Sequence, residues 1–218
     1  MAKLAWGEAG KRFYETGVSN GVLYVQQKGG AYGKGVAWNG LIQISESPSG
    51  AEPNPLYADN IKYLNLMSVE EYGATIEAFS YPDEWKQCDG SAEISKGVTI
   101  GQQERKSFGL CYKTIKGNDT EYNDYGYILH LIYGGKASPS EKTYSSVNDS
   151  PEAITFSWEM TTTPVPVSGH KPTSVLTIDS TSVEPDKLKK LEDALFGTES
   201  AEPKLLLPDE VIALLAEE

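Results

Sequence analysis

From Ala153 to Thr161 apolar and polar side chains alternate: Ile154, Phe156, Trp158 and Met160 share one side, and Thr155, Ser157, Glu159 and Thr161 the other. A period of two sends successive side chains to opposite faces of a strand, so one face meets a core and the other meets water or a partner. Most segments between residues 20 and 180 carry the same signature, rich in β-branched and aromatic residues and punctuated by Gly, Asn, Asp and Pro. Further strands are expected at Gly21 to Gln26, Gly35 to Ile44, Ile61 to Met67, Ala74 to Phe79, Ser107 to Ile115 and Ser174 to Asp179. Gly126 to Tyr133, GYILHLIY, is apolar on both faces apart from His130, the pattern of a central or interfacial strand covered on both sides. About eight strands at such spacings predict a mainly β chain folded as a sandwich or barrel. The pairs Gly29-Gly30 and Gly134-Gly135 are expected in hairpin turns, where glycine supplies positive φ.

Helical signals are few. Pro82 and Asp83 suit a first turn and Asp89-Gly90 a stop, which predicts one short helix between strands, Pro82 to Cys88. The main helix is expected over Glu184 to Phe196, with Pro185 at its first position, Leu188, Leu191 and Leu195 at helical spacing, and Gly197 as terminator. Thr198 to Pro203 then forms a polar linker, and Leu205 to Leu215 is too apolar and too short to stand as a helix in water, so it must dock. Leu205, Leu206, Leu207, Val211, Ile212 and Leu214 are the expected docking residues. The chain thus divides into a β domain, residues 1–180, and a C-terminal helix with an apolar tail, residues 181–218. Ser45 to Asn60, SESPSGAEPNPLYADN, holds three prolines and is expected to be a loop longer than two strands need, of the kind that carries contacts.

Recognisable chemistry is scarce. Neither GxGxxG nor GxxxxGK[ST] occurs, no GxSxG elbow accompanies the serines, and the two histidines, His130 and His170, leave few ways to build a triad. Within GYILHLIY, His130 suits a satisfied or interface role, and His170, in VSGHKP, is expected to face solvent. Cys88 and Cys111 lie far apart without a CxxC or HExxH spacing and read as buried thiols. Asn118, Asp119, Glu121, Asn123 and Asp124 crowd one loop but miss the EF-hand spacing, so no metal or other cofactor is expected. The pairs Glu70-Glu71, Asp83-Glu84 and Asp209-Glu210 are better explained at helix starts than as acid-base machinery.

The 31 acidic and 19 basic residues give a formal net charge of −12, which opposes tight binding to a phosphate backbone. The start, MAKLAWGEAGKRF, lacks a signal peptide's apolar run and no stretch is apolar enough to span a bilayer, so the protein is expected in the cytoplasm, away from membranes. The 13 tyrosines and 4 tryptophans keep open a second class, a carbohydrate-binding sandwich that stacks exposed aromatics on sugars. Trp38, Trp85 and Trp158, however, sit among apolar or capping residues, where packing explains them better.

The stretch WNGLIQISESPSGAEPNPLYADNIKYLNLMSVEEYGATIEAFSYPDEWKQCDGS, continuing through GVTIGQQERKSFGLCYKTIKGND and SPEAITFSWEMTTTPVPV, resembles the major tail proteins of siphophages infecting Gram-positive bacteria. The likeness spans roughly residues 10–180 and rests on phrases in order rather than on one motif. It implies a tail-tube fold related to the type VI secretion tube protein, in which subunits form stacked hexameric rings around a conduit for DNA. Its partners would be copies of itself and the tape-measure, tail-tip and tail-terminator proteins, with DNA passing without specific binding. Its place would be the virion tail, reached from the host cytoplasm. The resemblance assigns the segment with Glu46, Pro48, Glu52, Pro53, Pro55 and Tyr57 to contacts between rings, and makes Glu77 and Glu159 candidates for an acidic lumen.

Overall fold

The computed structural model describes residues 4–147, 149 and 152–216. It is mainly β, with 46% strand and 13% helix, and all its strand pairings are antiparallel. The strands are β1 (Phe13–Gln26), β2 (Tyr32–Trp38), β3 (Leu41–Glu46), β4 (Pro53–Ala58), β5 (Ile61–Met67), β6 (Gly73–Ala78), β7 (Ala92–Ser95), β8 (Val98–Ile100), β9 (Phe108–Asn118), β10 (Tyr122–Ala137), β11 (Phe156–Thr162) and β12 (Val175–Asp179). The helices are α1 (Lys86–Asp89), entered through a 3₁₀ turn at Asp83–Trp85, α2 (Pro185–Phe196) and α3 (Pro208–Ala216).

The main sheet runs β2-β1-β9-β10-β11-β6-β3, with β12 also on β10. Strand β10 belongs to two layers: Ile128 to Ile132 pair with β12, while Gly135 to Ala137 pair with β11. One layer is therefore β2, β1, β9, β10 and β12, and the other is β11, β6 and β3 joined to the end of β10. Alternation decides what lies between them. Leu23, Phe108, Leu110, Tyr112 and Ile132 face inward to meet Ile76, Trp158 and Met160 of the second layer. Trp85, from the 3₁₀ turn, fills the middle, its ring 4.6 Å from Trp38, 4.8 Å from Phe108 and 5.3 Å from Trp158 between centroids. Such aromatic packing adds about 0.5–1.5 kcal/mol per pair beyond area burial.

The opposite face of the first layer is just as apolar, and the chain covers it itself. Val22, Tyr24, Cys111, Leu129, Leu131, Tyr133 and Ile178 pack against Leu188, Leu191 and Leu195 of α2 and against Leu205, Leu206 and Val211 beyond it. The two-sided pattern of GYILHLIY thus reports a helical roof from the same chain. The tail after residue 198 is likewise part of this roof, and Pro208–Ala216 forms a helix there, so two C-terminal helices stand where one was expected. Docking selects among the expected residues: Leu205, Leu206 and Val211 are buried and Leu214 is partly so, whereas Leu207 and Ile212 remain 43% and 48% exposed. Leu205 lies so close to the sheet that a Cβ on Gly109 would stand 2.2 Å from its side chain.

Four expectations change on the structure. Gly35 to Ile44 is two strands, because Asn39 and Gly40 turn the chain from the first layer, where β2 pairs with β1, to the second, where β3 pairs with β6. Gly134-Gly135 is a bulge inside β10, not a hairpin turn: Gly134 has φ +60 and a Cβ there would lie 2.2 Å from the Thr163 carbonyl oxygen. Gly29-Gly30 does form the β1–β2 turn, both at positive φ. Glu70 and Glu71 start no helix; Glu71 instead makes an isolated bridge with Ser49. The fourth is the supposed loop from Ser45 to Asn60, which contains the end of β3 and all of β4.

Truncating Leu205 to alanine should cost about 2–5 kcal/mol, since a fully buried leucine leaves a cavity against Gly109 and the sheet. Chemical denaturation monitored by tryptophan fluorescence measures it, and Ile212→Ala should change little.

Candidate functional site

Strands β4 and β5 form a two-stranded sheet of their own, with Leu56 opposite Leu64, Asn54 opposite Leu66 and Pro53 opposite Met67. Asp59 and Asn60, both at positive φ, close it as a two-residue turn, a conformation that Asp and Asn tolerate. Pro53 and Pro55 are accommodated because a two-stranded ribbon leaves one edge of each strand unpaired. Every residue of both strands is exposed, Tyr57 at 71% and Tyr63 at 70%, along with Leu56, Ile61, Leu66 and Met67. The ribbon is an arm tied to the body near its base, where the Glu52 amide donates to Ser68 Oγ at 3.1 Å and Ser49 bridges to Glu71. An isolated hairpin is marginal in water, and an apolar one needs a surface to lie on.

The six residues expected to carry contacts divide between two places. Pro53, Pro55 and Tyr57 lie on the arm, with Pro48 and Glu52 on the segment leading to it. Glu46 ends β3 and belongs to a cleft in the body. The exposed apolar face of β5 was not among the expected contact residues, although Ile61 to Met67 was legible as a strand and directly follows the Asp59-Asn60 turn.

Glu77 and Glu159 come together on a polar face. Both point away from the core of the second layer, where Glu77 is opposite Ser157 and Gln43, and Glu159 is opposite Thr75. With Ser45 and Thr161 they make the outer surface of β3, β6 and β11 polar and acidic; none of these three strands carries a basic residue, and Lys136 of β10, opposite Thr161, borders the face.

The body cleft, about 780 Å³, opens where the second layer stops covering the first. There the inward face of β9 changes from Leu110 and Tyr112 to Thr114 and Lys116, and the walls become polar, with Glu15, Glu46, Thr177 and Asp179. His130, only 8% exposed, stacks on Tyr112 with ring centroids 4.5 Å apart. Its Nε2 lies 2.9 Å from Thr114 Oγ1, while its Nδ1 is buried without a partner. Tyr112 donates to Glu46 Oε1 at 3.3 Å. Burial holds the imidazole below its ordinary value, against the opposing pull of the Glu46 and Glu15 carboxylates. No serine or cysteine lines this cleft. Burial pushes the Cys88 and Cys111 thiols up to about 12, which leaves both as neutral thiols at neutral pH. No group of three His, Cys, Asp or Glu side chains suited to a metal ion occurs among the described residues. No described helix is long and apolar enough to cross a membrane.

No protein-family model matches this chain, and no curated protein matches it either.

His130 makes stability depend on pH in a definite sense. Its folded value lies below the 6.5 of a free histidine, so the unfolded chain binds the proton more readily. The stability that the neutral ring contributes is whole above about 6.5 and is lost as pH falls through that value toward the folded one. The urea midpoint should therefore fall from pH 7.5 to pH 5.5, and His130→Gln should flatten that part of the profile.

Proposed function

We propose that this protein is a structural subunit that polymerises with copies of itself into a hollow tube, the tail tube of a long-tailed phage, and performs no catalysis. The observation that carries this reading is the β4–β5 arm, an apolar ribbon exposed along its whole length that packs into neither core cluster of the described residues. A copy of the same chain can supply that surface at every contact of a repeating assembly, and head-to-tail contacts of one kind generate rings or open stacks. The resemblance stated from the sequence points to the same class, with six subunits to a ring. On this reading the arm reaches the adjacent ring, and the acidic face with Glu77 and Glu159 lines the bore, where carboxylates keep a polyanion from sticking. The tape-measure, tail-tip and terminator proteins would bound the tube, and the virion tail would be its place.

A carbohydrate-binding role draws little support from three of the four tryptophans, although Trp6, Tyr57 and Tyr63 are exposed. Trp38, Trp85 and Trp158 are buried in the core, so none offers a face to a sugar. The residues lining the cleft beside His130 include no serine or cysteine nucleophile.

Replacing residues 53–67 by a short Gly-Ser linker should leave the thermal midpoint within a few degrees of the parent, because no core residue is removed. The same variant should form no tubes by negative-stain electron microscopy under conditions where the parent does; equal tubes from both would refute the assignment of the arm. Reversing charge with Glu77→Lys and Glu159→Lys should still permit tubes. Those tubes should retain a labelled DNA single strand in a salt-dependent manner that parent tubes do not show.

A further inference from the structure

A second cleft, about 530 Å³, lies at the end of the first layer where β1 enters its turn, β9 begins and β10 ends. Lys28, Arg105, Lys106 and Lys136 line it, against the one carboxylate of Glu104. None of these four cations forms an ion pair among the described residues, although nine other basic residues do. Arg105 Nε is buried without an acceptor, and Lys106 reaches only the amide oxygen of Gln87, at 2.7 Å. In a chain of net charge −12 this is a positive hollow in a negative surface, suited to a carboxylate-bearing ligand.

The same ladder carries the complementary feature at its other end. Antiparallel pairing sets Phe108 beside Val25 and Gly135 at the cleft end, and Asn118 beside Phe13 and Tyr122 at the far end. Strand β9 between them spans about 35 Å at ~3.3 Å per residue. The far end carries Glu121 in the β9–β10 turn and Asp124 in the first residues of β10, both exposed and without an ion pair among the described residues, while Asp119 in the same turn pairs with Arg12. The turn is already ordered: the buried Asn118 side chain accepts the Thr120 and Glu121 amides at 3.1 and 2.6 Å, so little freedom remains to be lost on docking.

We infer that the β9–β10 turn of one copy seats Glu121 and Asp124 in the basic cleft of a second copy. The two features lie at opposite ends of one ladder, so a shift along the strands brings the acidic turn of one copy to the cleft of the next. That contact is heterologous, does not close on itself, and gives the assembly a direction. A nucleic acid fits less well, since it would meet repulsion from the rest of a surface with this net charge. This inference rests on the self-assembly proposed above and adds to it a particular pair of surfaces.

The test is a charge swap on the full chain, followed by sedimentation velocity at low ionic strength, with circular dichroism to confirm folding. All four substituted side chains are exposed. Lys28→Glu with Lys136→Glu, and separately Glu121→Lys with Asp124→Lys, should each raise the concentration for half-assembly by at least about tenfold, because like charges then face each other. Carrying all four changes should bring it back to within about threefold, and the neutral Lys28→Gln with Lys136→Gln should fall between. Pairs that assemble like the parent, or a quadruple variant no better than either pair, overturn the inference and leave self-assembly standing. A parent chain that stays monomeric at every concentration overturns both. Binding of a fluorescein-labelled DNA duplex that Lys28→Glu with Lys136→Glu abolishes, with assembly unchanged, assigns the cleft to nucleic acid and overturns it as well.

Discussion

The pairing of β9 with β10 governs the rest of the molecule, because these two strands have no face that can be left in water. Cys111, Leu129, Leu131 and Tyr133 point one way and Phe108, Leu110, Tyr112 and Ile132 the other. A second layer of strands answers one side and the C-terminal helices answer the other. The buried tyrosines then fix where those helices sit: Tyr24 donates to the Leu195 carbonyl at the end of α2, and Tyr133 to the Leu206 carbonyl before α3. A buried hydroxyl without an acceptor costs about 1–3 kcal/mol, so sliding the roof by one residue would be penalised twice. Lys113 adds a third tether, pairing with Glu192 while lying 4.1 Å above the Tyr127 ring centroid.

Closing the core in this way leaves two features outside it, and they differ in kind. The β4–β5 arm is apolar and contributes nothing to either core cluster, so its composition answers to something other than the stability of the folded subunit. The clefts at the two ends of the first layer are polar, and they arise because β9 and β10 are longer than the layer and roof that cover them. Where the cover stops, inward residues turn from Leu110 to Thr114 on one strand and from Ile132 to His130 on the other.

Much of this was legible along the chain, for a physical reason. Strands with one wet and one dry face carry the period of two, and Phe156 to Thr162 and Gly73 to Ala78 were found close to their observed bounds; Ile61 to Met67, wet on both faces, was found through its β-prone aromatic and aliphatic residues. Leucine spacing with Pro185 and Gly197 placed α2 equally well. The failures share a cause. Pro53 to Ala58 is wet on both faces and rich in proline, so its residues carry no contrast between inside and outside, and β7 and β8, exposed along most of their length, are silent in the same way. Gly134 could not be told from a turn glycine because a bulge asks for the same positive φ. A strand apolar on both sides announces that it is covered but not by what: helices of the same chain and strands of a neighbour leave the same trace in GYILHLIY.

The placement of ionisable groups follows from that same ladder. Within the layer, cations are neutralised locally, Lys113 by Glu192 on the roof side and Lys116 by Asp179 on the cleft side, because a half-buried charge must find its partner inside the fold. At the ends of the ladder the constraint relaxes, since solvent can screen an unmatched charge, and there the signs separate, with Lys28, Arg105, Lys106 and Lys136 at one end and Glu121 and Asp124 at the other. The core therefore gives no reason for the charges at the two ends to sort by sign. A repeating contact between those ends would, because each junction then sets the two acidic side chains against the basic cleft.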